Sequence, residues 1–368
     1  MPANARTVSR LLCGCLRGAL GGPPTASDLP ANSSEWEQVL HLSRAHLAAP
    51  QLRWALLEQG LFSQLPPDMA KYLEAVYGLN LDRNQQCEDQ LAQLIPLLNR
   101  IGVQPVLLKG AAAIVGRLYP TSGERMISDL DILIPAEKLP EIIEKLAEVS
   151  YRPYVSAGMK IPDPLGFDND HHYPPLISPE WQTRVELHVQ PLWLSTVAFL
   201  PCKEVFREAI PLAWRGGECL LPSPTHFIIH NLVHAFVMNV QGGLERVSIR
   251  QLFEFVLASK IYAERIDWNA VKNRFDDLGR LRALQEYLAL ANTCFDFEVP
   301  IGIDIDERAR RRARWYLTRL DSYHPALELA IKILFQIKRV GHLRKDPKKL
   351  RMLLTTDFYS RLFDSFKV

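Results

Sequence analysis

Apolar positions repeat at helical spacing through the first hundred residues, and the pattern changes at Gly102. Trp36, Val39, Leu40, Leu42 and Leu47 recur on one helical stripe, as do Leu91, Leu94, Ile95 and Leu98, so residues 35–100 are expected to be helices. The stretch GGPPTASDLPANSS ahead of them is a turn-rich connector, with Ser33 or Ser34 as the candidate N-cap. After Gly102, VQPVLL is a short apolar run suited to a buried strand, and KGAAAIVGRLY has helical character. RMISDLDILI reads as a second strand ended by Pro135, and Leu139, Ile142, Ile143, Leu146 and Val149 share one face of the next helix. Strand–helix–strand–helix at this density is the rhythm of an α/β core. Residues 155–175 are rich in Pro, Gly and Asp and read as a loop, while RVELHVQ alternates as a strand. Beyond Pro222 the clearest segments, HFIIHNLVHAF, IRQLFEFVLA and LRALQEYLALANTCF, are helical. The expected fold class is α+β (mixed α/β): an N-terminal helical region over 1–100, a sheet core over 101–205 and a C-terminal helical domain over 206–368.

Composition narrows the picture. The chain has 368 residues, 48% hydrophobic and 23% charged, which is enough to bury a large core in two or three cooperating domains and excludes disorder as the main state. No period repeats through it, against a collagen-like, coiled-coil or repeat architecture. The most apolar stretches, Pro105–Leu108 and Ile127–Ile134, fall short of the roughly 20 residues of a membrane span. Near the N-terminus the apolar patch Leu11 to Leu16 is shorter than the about 7–15 residues of a secretory signal, so this end reads as the start of a helix in a cytoplasmic protein. Six cysteines without a Cys-x-x-Cys pair argue against zinc ribbons and a disulfide framework, and for reduced thiols in the interior. The net charge of +2 is uneven: from Ile301 onward 16 Lys/Arg face 8 Asp/Glu, a local +8, which leaves −6 on the first 300 residues. Such a tail permits a polyanionic partner, but few aromatics are interleaved as a nucleic-acid platform requires, which favours a solvated helix.

Asp129 and Asp131 are the sharpest chemical signal. Two apart on a strand, they project from one face while Leu130, Ile132 and Ile134 point into the core. Two neighbouring carboxylates repel unless a positive charge lies between them, and a divalent cation shared with substrate phosphates supplies it. A polar strand face at a sheet edge is the plainer alternative. Upstream, Lys109-Gly110 sits between a strand and a helix start, where a glycine permits close backbone approach and free N–H groups suit a phosphate. Downstream, Glu186 and His188 share one face of RVELHV. If that strand lies beside the aspartates, Glu186 is a third carboxylate, able to ligate the metal or to take a proton from an attacking hydroxyl; otherwise it is an exposed partner of Arg184. His226, His230 and His234 fall on one helical stripe, without the glutamate of a metalloprotease pattern, and read as cleft-lining or core residues. Arg250 and Glu254 have the spacing of a helical i,i+4 ion pair. His171 and His172 lie in the loop, placed to close over a site.

The string from Leu107 to Tyr151 resembles the uncharacterised nucleotidyltransferase family of the polymerase-β-like superfamily, through Leu108, Lys109, Gly110, Ala111, Tyr119, Arg125, Asp129 and Asp131. A His-His loop (His171, His172) and a Glu-Leu-His strand (Glu186, Leu187, His188) add to the likeness, which runs from about residue 33 to about 300. The resemblance implies Mg²⁺-dependent transfer of a nucleoside monophosphate from a triphosphate such as ATP to a hydroxyl acceptor, with Mn²⁺ as a substitute. It implies metal on Asp129, Asp131 and Glu186, which form the catalytic set. Nucleotide contacts would come from Lys109, Gly110, Ala111, Arg125, His172 and His188, with Arg125 either a second phosphate clamp or a holder of the aspartates. Many members of the wider superfamily carry Gly-Ser or Gly-Gly where this chain has Gly110-Ala111, so Lys109 is expected to take over the phosphate-holding role. Two alternatives stand beside this reading: nucleotide addition to an RNA such as a tRNA end, and a catalytically silent nucleotide-binding scaffold. No membrane partner is expected.

Overall fold

The computed structural model describes residues 7–22, 26–155, 160–168, 170–238 and 247–321. Seven strands form one mixed sheet: β1 (Val106–Leu107), β2 (Asp129–Leu133), β3 (Arg152–Pro153), β4 (Leu176–Ser178), β5 (Trp181–His188), β6 (Ile210–Trp214) and β7 (Gly217–Leu221), in the order β3-β4-β5-β2-β1-β7-β6. β2 lies at the centre. It runs antiparallel to β1 and parallel to β5, with β4 antiparallel on the far side of β5. The expected mixed α/β class holds. The sheet continues past residue 205, because β6 and β7 form a hairpin that adds to β1 through β7.

The N-terminal helices are α1 (Val8–Arg17), α2 (Ser33–Ala45), α3 (Ala49–Glu58) and α4 (Pro67–Arg100). Asn32, one residue before the expected caps, accepts from the Glu35 N–H and starts α2, so Ser33 is already helical. α4 opens on Pro67, whose missing N–H is no loss there, and Gly102 at φ 71° ends it in the left-handed turn a glycine adopts freely. The remaining helices are α5 (Lys109–Val115), α6 (Leu139–Glu148), α7 (Cys202–Glu208), α8 (Pro224–Leu232), α9 (Ile249–Ile261), α10 (Trp268–Asp277), α11 (Leu281–Phe295) and α12 (Glu307–Asp321). α8 continues into a π-helical stretch, Val233–Met238. The rest of the basic C-terminal segment, residues 322–368, lies outside the described residues. Among those described, no helix is long and apolar enough to cross a membrane, and all six cysteines are free.

α4 crosses the sheet, packing on β5 and β7, and its buried amides hold the turn that leads into β2. Asn80 donates to the Gly123 carbonyl (2.7 Å), and Asn84 donates to the carbonyls of Ser122 (2.5 Å) and Arg125 (2.6 Å). Asn84→Leu strands those carbonyls and should cost roughly 1–3 kcal/mol. The check is the urea midpoint at unchanged slope; an unmoved midpoint would mean that the turn takes its order from elsewhere.

Candidate active site

The pleat of β2 sends Leu130 and Ile132 into the core, both fully buried, and leaves Asp129 and Asp131 on the other face. Its parallel pairing sets Asp129 opposite Arg184, Asp131 opposite Glu186 and Leu133 opposite His188. The register therefore brings the third carboxylate beside Asp131. Asp131 is 1% exposed, and its Oδ1 lies 2.6 Å from Lys109 Nζ and 2.8 Å from His188 Nε2. Burial alone would raise the Asp131 pKa, but the Lys109 charge and the His188 hydrogen bond outweigh it and hold the group well below the usual carboxylate range. His188 is fully buried, with Nδ1 3.3 Å from the Gln190 carbonyl. Burial lowers its pKa, yet hydrogen bonding to Asp131 and Glu186 raises it overall. Its ring nitrogens lie against the Asp131 carboxylate and the Gln190 carbonyl.

Glu186 Oε2 lies 3.7 Å from His188 Nε2 and 3.9 Å from His172 Nε2. Burial works against its charge, but these imidazoles lower its pKa. Asp129 is raised, first by burial and then by the repulsion of Asp131 and Glu186, although Ser128 Oγ donates to its Oδ1 at 2.9 Å. His172 bridges to His188 along the strand edge, and the rings of His171, His172 and His188 lie 4.5–5.3 Å apart.

Lys109 adopts φ 46°, in the left-handed region that side chains rarely enter, at a cost on the order of 1 kcal/mol. The next residue, Gly110, is packed tightly: a Cβ there would come within 3.0 Å of Ile127 Cγ1. Both residues line a cavity of about 330 Å³ whose walls also include Arg83, Arg125, Asp129, Asp131, His230, His234, Arg250 and Glu254. Three of the expected nucleotide contacts are not on this wall. Ala111 is turned by the helical period into the core, His188 is sealed behind Asp131, and His172 stands beside Glu186.

Arg125 lies on the cavity wall and makes no hydrogen bond to the aspartates. It is buried, and its Nε and Nη2 donate to Glu254 at 2.5 and 3.4 Å, while Nη1 donates to the Met126 carbonyl. Tyr119 Oη also donates to Glu254, at 3.1 Å. Glu254 is thus committed to two partners from the sheet side, and the i,i+4 pair with Arg250 does not form. Nε and Nη1 of Arg250 are closed off from solvent with no hydrogen-bond partner. His230 and His234 stack at 6.1 Å and 9° on the cavity wall, whereas His226 pairs with Glu208 at 3.1 Å.

Residues 32–296 match a family described as "Uncharacterised nucleotidyltransferase". The chain belongs to that family. Among curated proteins, none matches the chain. Among solved structures, one similar chain is an antigenic nucleotidyltransferase-like protein from Paracoccidioides brasiliensis. It shows 14% identity over 59% of this chain and 95% of that one, with a TM-score of 0.36, a likeness too loose to decide anything here.

Membership of a nucleotidyltransferase family raises the question of a divalent cation. Asp131, Glu186 and His188 each offer a ligand atom within 4.8 Å of the others, close enough to gather on one divalent cation after small side-chain adjustments. Two carboxylate oxygens suit Mg²⁺, and the imidazole nitrogen extends the fit to Mn²⁺. Asp129 stands outside that group, on the cavity side. Lys109 and His188 both contact Asp131 Oδ1. Sequence reasoning placed His188 against the nucleotide; the parallel register of β2 and β5, which alternation alone does not give, puts it at the carboxylates.

Proposed function

We propose that the protein transfers a nucleoside monophosphate from a nucleoside triphosphate to a hydroxyl acceptor, using Mg²⁺ or Mn²⁺ at Asp129, Asp131 and Glu186. The observation that carries this reading is the register that seats Glu186 against Asp131 beside a cavity holding Lys109. Bound there, the cation would neutralise charge on the phosphoryl oxygens. Asp129, Asp131 and Glu186 would hold it, with His188 hydrogen-bonded to Asp131 behind them. In the reaction the acceptor oxygen bonds to the α-phosphorus, the bond to pyrophosphate breaks, and the acceptor proton passes to a carboxylate of this set. Lys109, on the wall of the same cavity, would offer its ammonium to the phosphates.

The test is thermal unfolding with each of the four common nucleoside triphosphates, with and without Mg²⁺, on wild type and Asp131→Ala. One triphosphate at about 100 times its dissociation constant should add roughly 2.7 kcal/mol to the wild type only. No shift with any nucleotide would overturn the reading. Lys109→Ala should leave the fold intact and weaken triphosphate binding about tenfold, read by calorimetric titration; unchanged affinity would remove Lys109 from the phosphate site.

A further inference from the structure

Among the described residues Arg250 has no hydrogen-bond or ion-pair partner, although Glu254 acts on its charge from a distance. On the cavity wall, its Nε and Nη1 find no hydrogen-bond partner among the described residues, an arrangement that disfavours the charged form and that folding alone gives no reason to keep. Burial, followed by the repulsion of Arg125, pushes its pKa down to about 10, so it remains cationic at neutral pH. A carboxylate at the right helical spacing exists, but Glu254 is taken by Arg125 and Tyr119. The other cations on the cavity wall are engaged: Lys109 with Asp131, Arg125 with Glu254, and Arg83 with the Ser128 carbonyl. Four cations against three carboxylates leave the wall positive.

The cavity wall adds one donor without charge, on His234. His230 Nε2 lies 2.9 Å from the Pro191 carbonyl, and Gln251 Nε2 donates to His234 Nδ1 at 2.8 Å, which leaves the His234 proton on Nε2. Burial lowers the pKa of both imidazoles and keeps them neutral. Arg250 also sits in the first turn of the 13-residue α9, at the positive end of its dipole.

We propose that Arg250 is the anion receptor of this cavity and holds the terminal phosphates of the donor and the pyrophosphate they become. The identity of that anion rests on the nucleotidyl-transfer reading; the presence of an anion site does not. A guanidinium presents a planar fork of donors that matches phosphate oxygens two at a time. The carboxylates enter the cavity from β2 and Arg250 enters from α9, so a donor bound to both would join the sheet to the helical part of the chain.

The experiment is calorimetric titration of the full chain with inorganic pyrophosphate, the four triphosphates and the matching monophosphates, on wild type, Arg250→Met, Arg250→Lys and Asp131→Asn, with ligand-free melting curves. Arg250→Met should weaken pyrophosphate and triphosphate binding about tenfold or more and leave monophosphate binding unchanged. Its ligand-free Tm should equal or exceed that of the wild type, because an unpaired buried charge has been removed, and Arg250→Lys should recover part of the affinity. Unchanged pyrophosphate and triphosphate affinity in Arg250→Met, or a ligand-free Tm well below the wild type, would overturn the inference. Pyrophosphate binding that depends on Arg250, with no binding of any nucleotide, would keep the anion site and sink nucleotidyl transfer. Triphosphate binding lost in Asp131→Asn and intact in Arg250→Met would do the reverse. A wild type that binds none of the probes would end both.

Discussion

Asp131→Asn should slow nucleotidyl transfer about a thousandfold, the rate equivalent of roughly 4 kcal/mol of stabilisation drawn from a metal-bound carboxylate. Asparagine keeps the shape and the fit to β5, so the loss comes from charge. Asp131 is the residue on which Lys109, His188 and the neighbouring Glu186 converge. Without its negative charge Lys109 loses its counter-ion and His188 its carboxylate acceptor, and a bound cation would lose one of three ligands. Transfer from an α-labelled triphosphate measures the rate, and circular dichroism establishes that the variant is folded. A rate within tenfold of the wild type would take Asp131 out of the chemistry.

Glu254→Ala should be the most destabilising single change near the site, at roughly 3–5 kcal/mol, because it leaves Arg125 buried beside an already unpaired Arg250. Replacing both partners, Arg125→Met with Glu254→Met, should recover most of that loss, and the double-mutant cycle gives the coupling directly. The pair also has a pH signature. Burial alone would raise the Glu254 pKa, but Arg125 and then Arg250 lower it overall. A carboxylate depressed in the folded state contributes stability that is fully present above its unfolded pKa, about 4.3, and lost as pH falls through the folded value. As pH falls from about 4.3 to the folded value, the wild type should lose stability more steeply than the double variant. Parallel acid limbs would mean that Glu254 is not an ionised partner of Arg125.

The sequence carried the carboxylate site further than its surroundings. Alternation around Asp129 and Asp131 and around Glu186 defined two faces, and the strand–helix rhythm made their adjacency a reasonable expectation. The pairing of Glu254 was hidden for a physical reason: i,i+4 spacing offered Arg250, while the true partner Arg125 lies 129 residues away and wins by bidentate geometry within the core. The hairpin of β6 and β7 had a readable signal in Trp214-Arg215-Gly216-Gly217, a glycine-containing turn between two short runs, with Arg215 and Gly216 both at positive φ. The π-helical stretch that carries His234 had none, since helical periodicity persists through it.

The two ends of the sheet bear on what the acceptor can be. One outer strand, β3, is two residues long and ends in Pro153; the other, β6, contains Pro211 paired with Leu220. A proline on an outer strand sits where its missing N–H would have pointed away from the sheet, so β6 lacks an outward donor there and β3 is too short to template anything. An incoming polypeptide therefore gains little by adding itself as an eighth strand. If the acceptor hydroxyl belongs to a protein, the chain must recognise it through side chains around the cavity mouth, and swapping the residues around that hydroxyl should matter more than its capacity to lie extended.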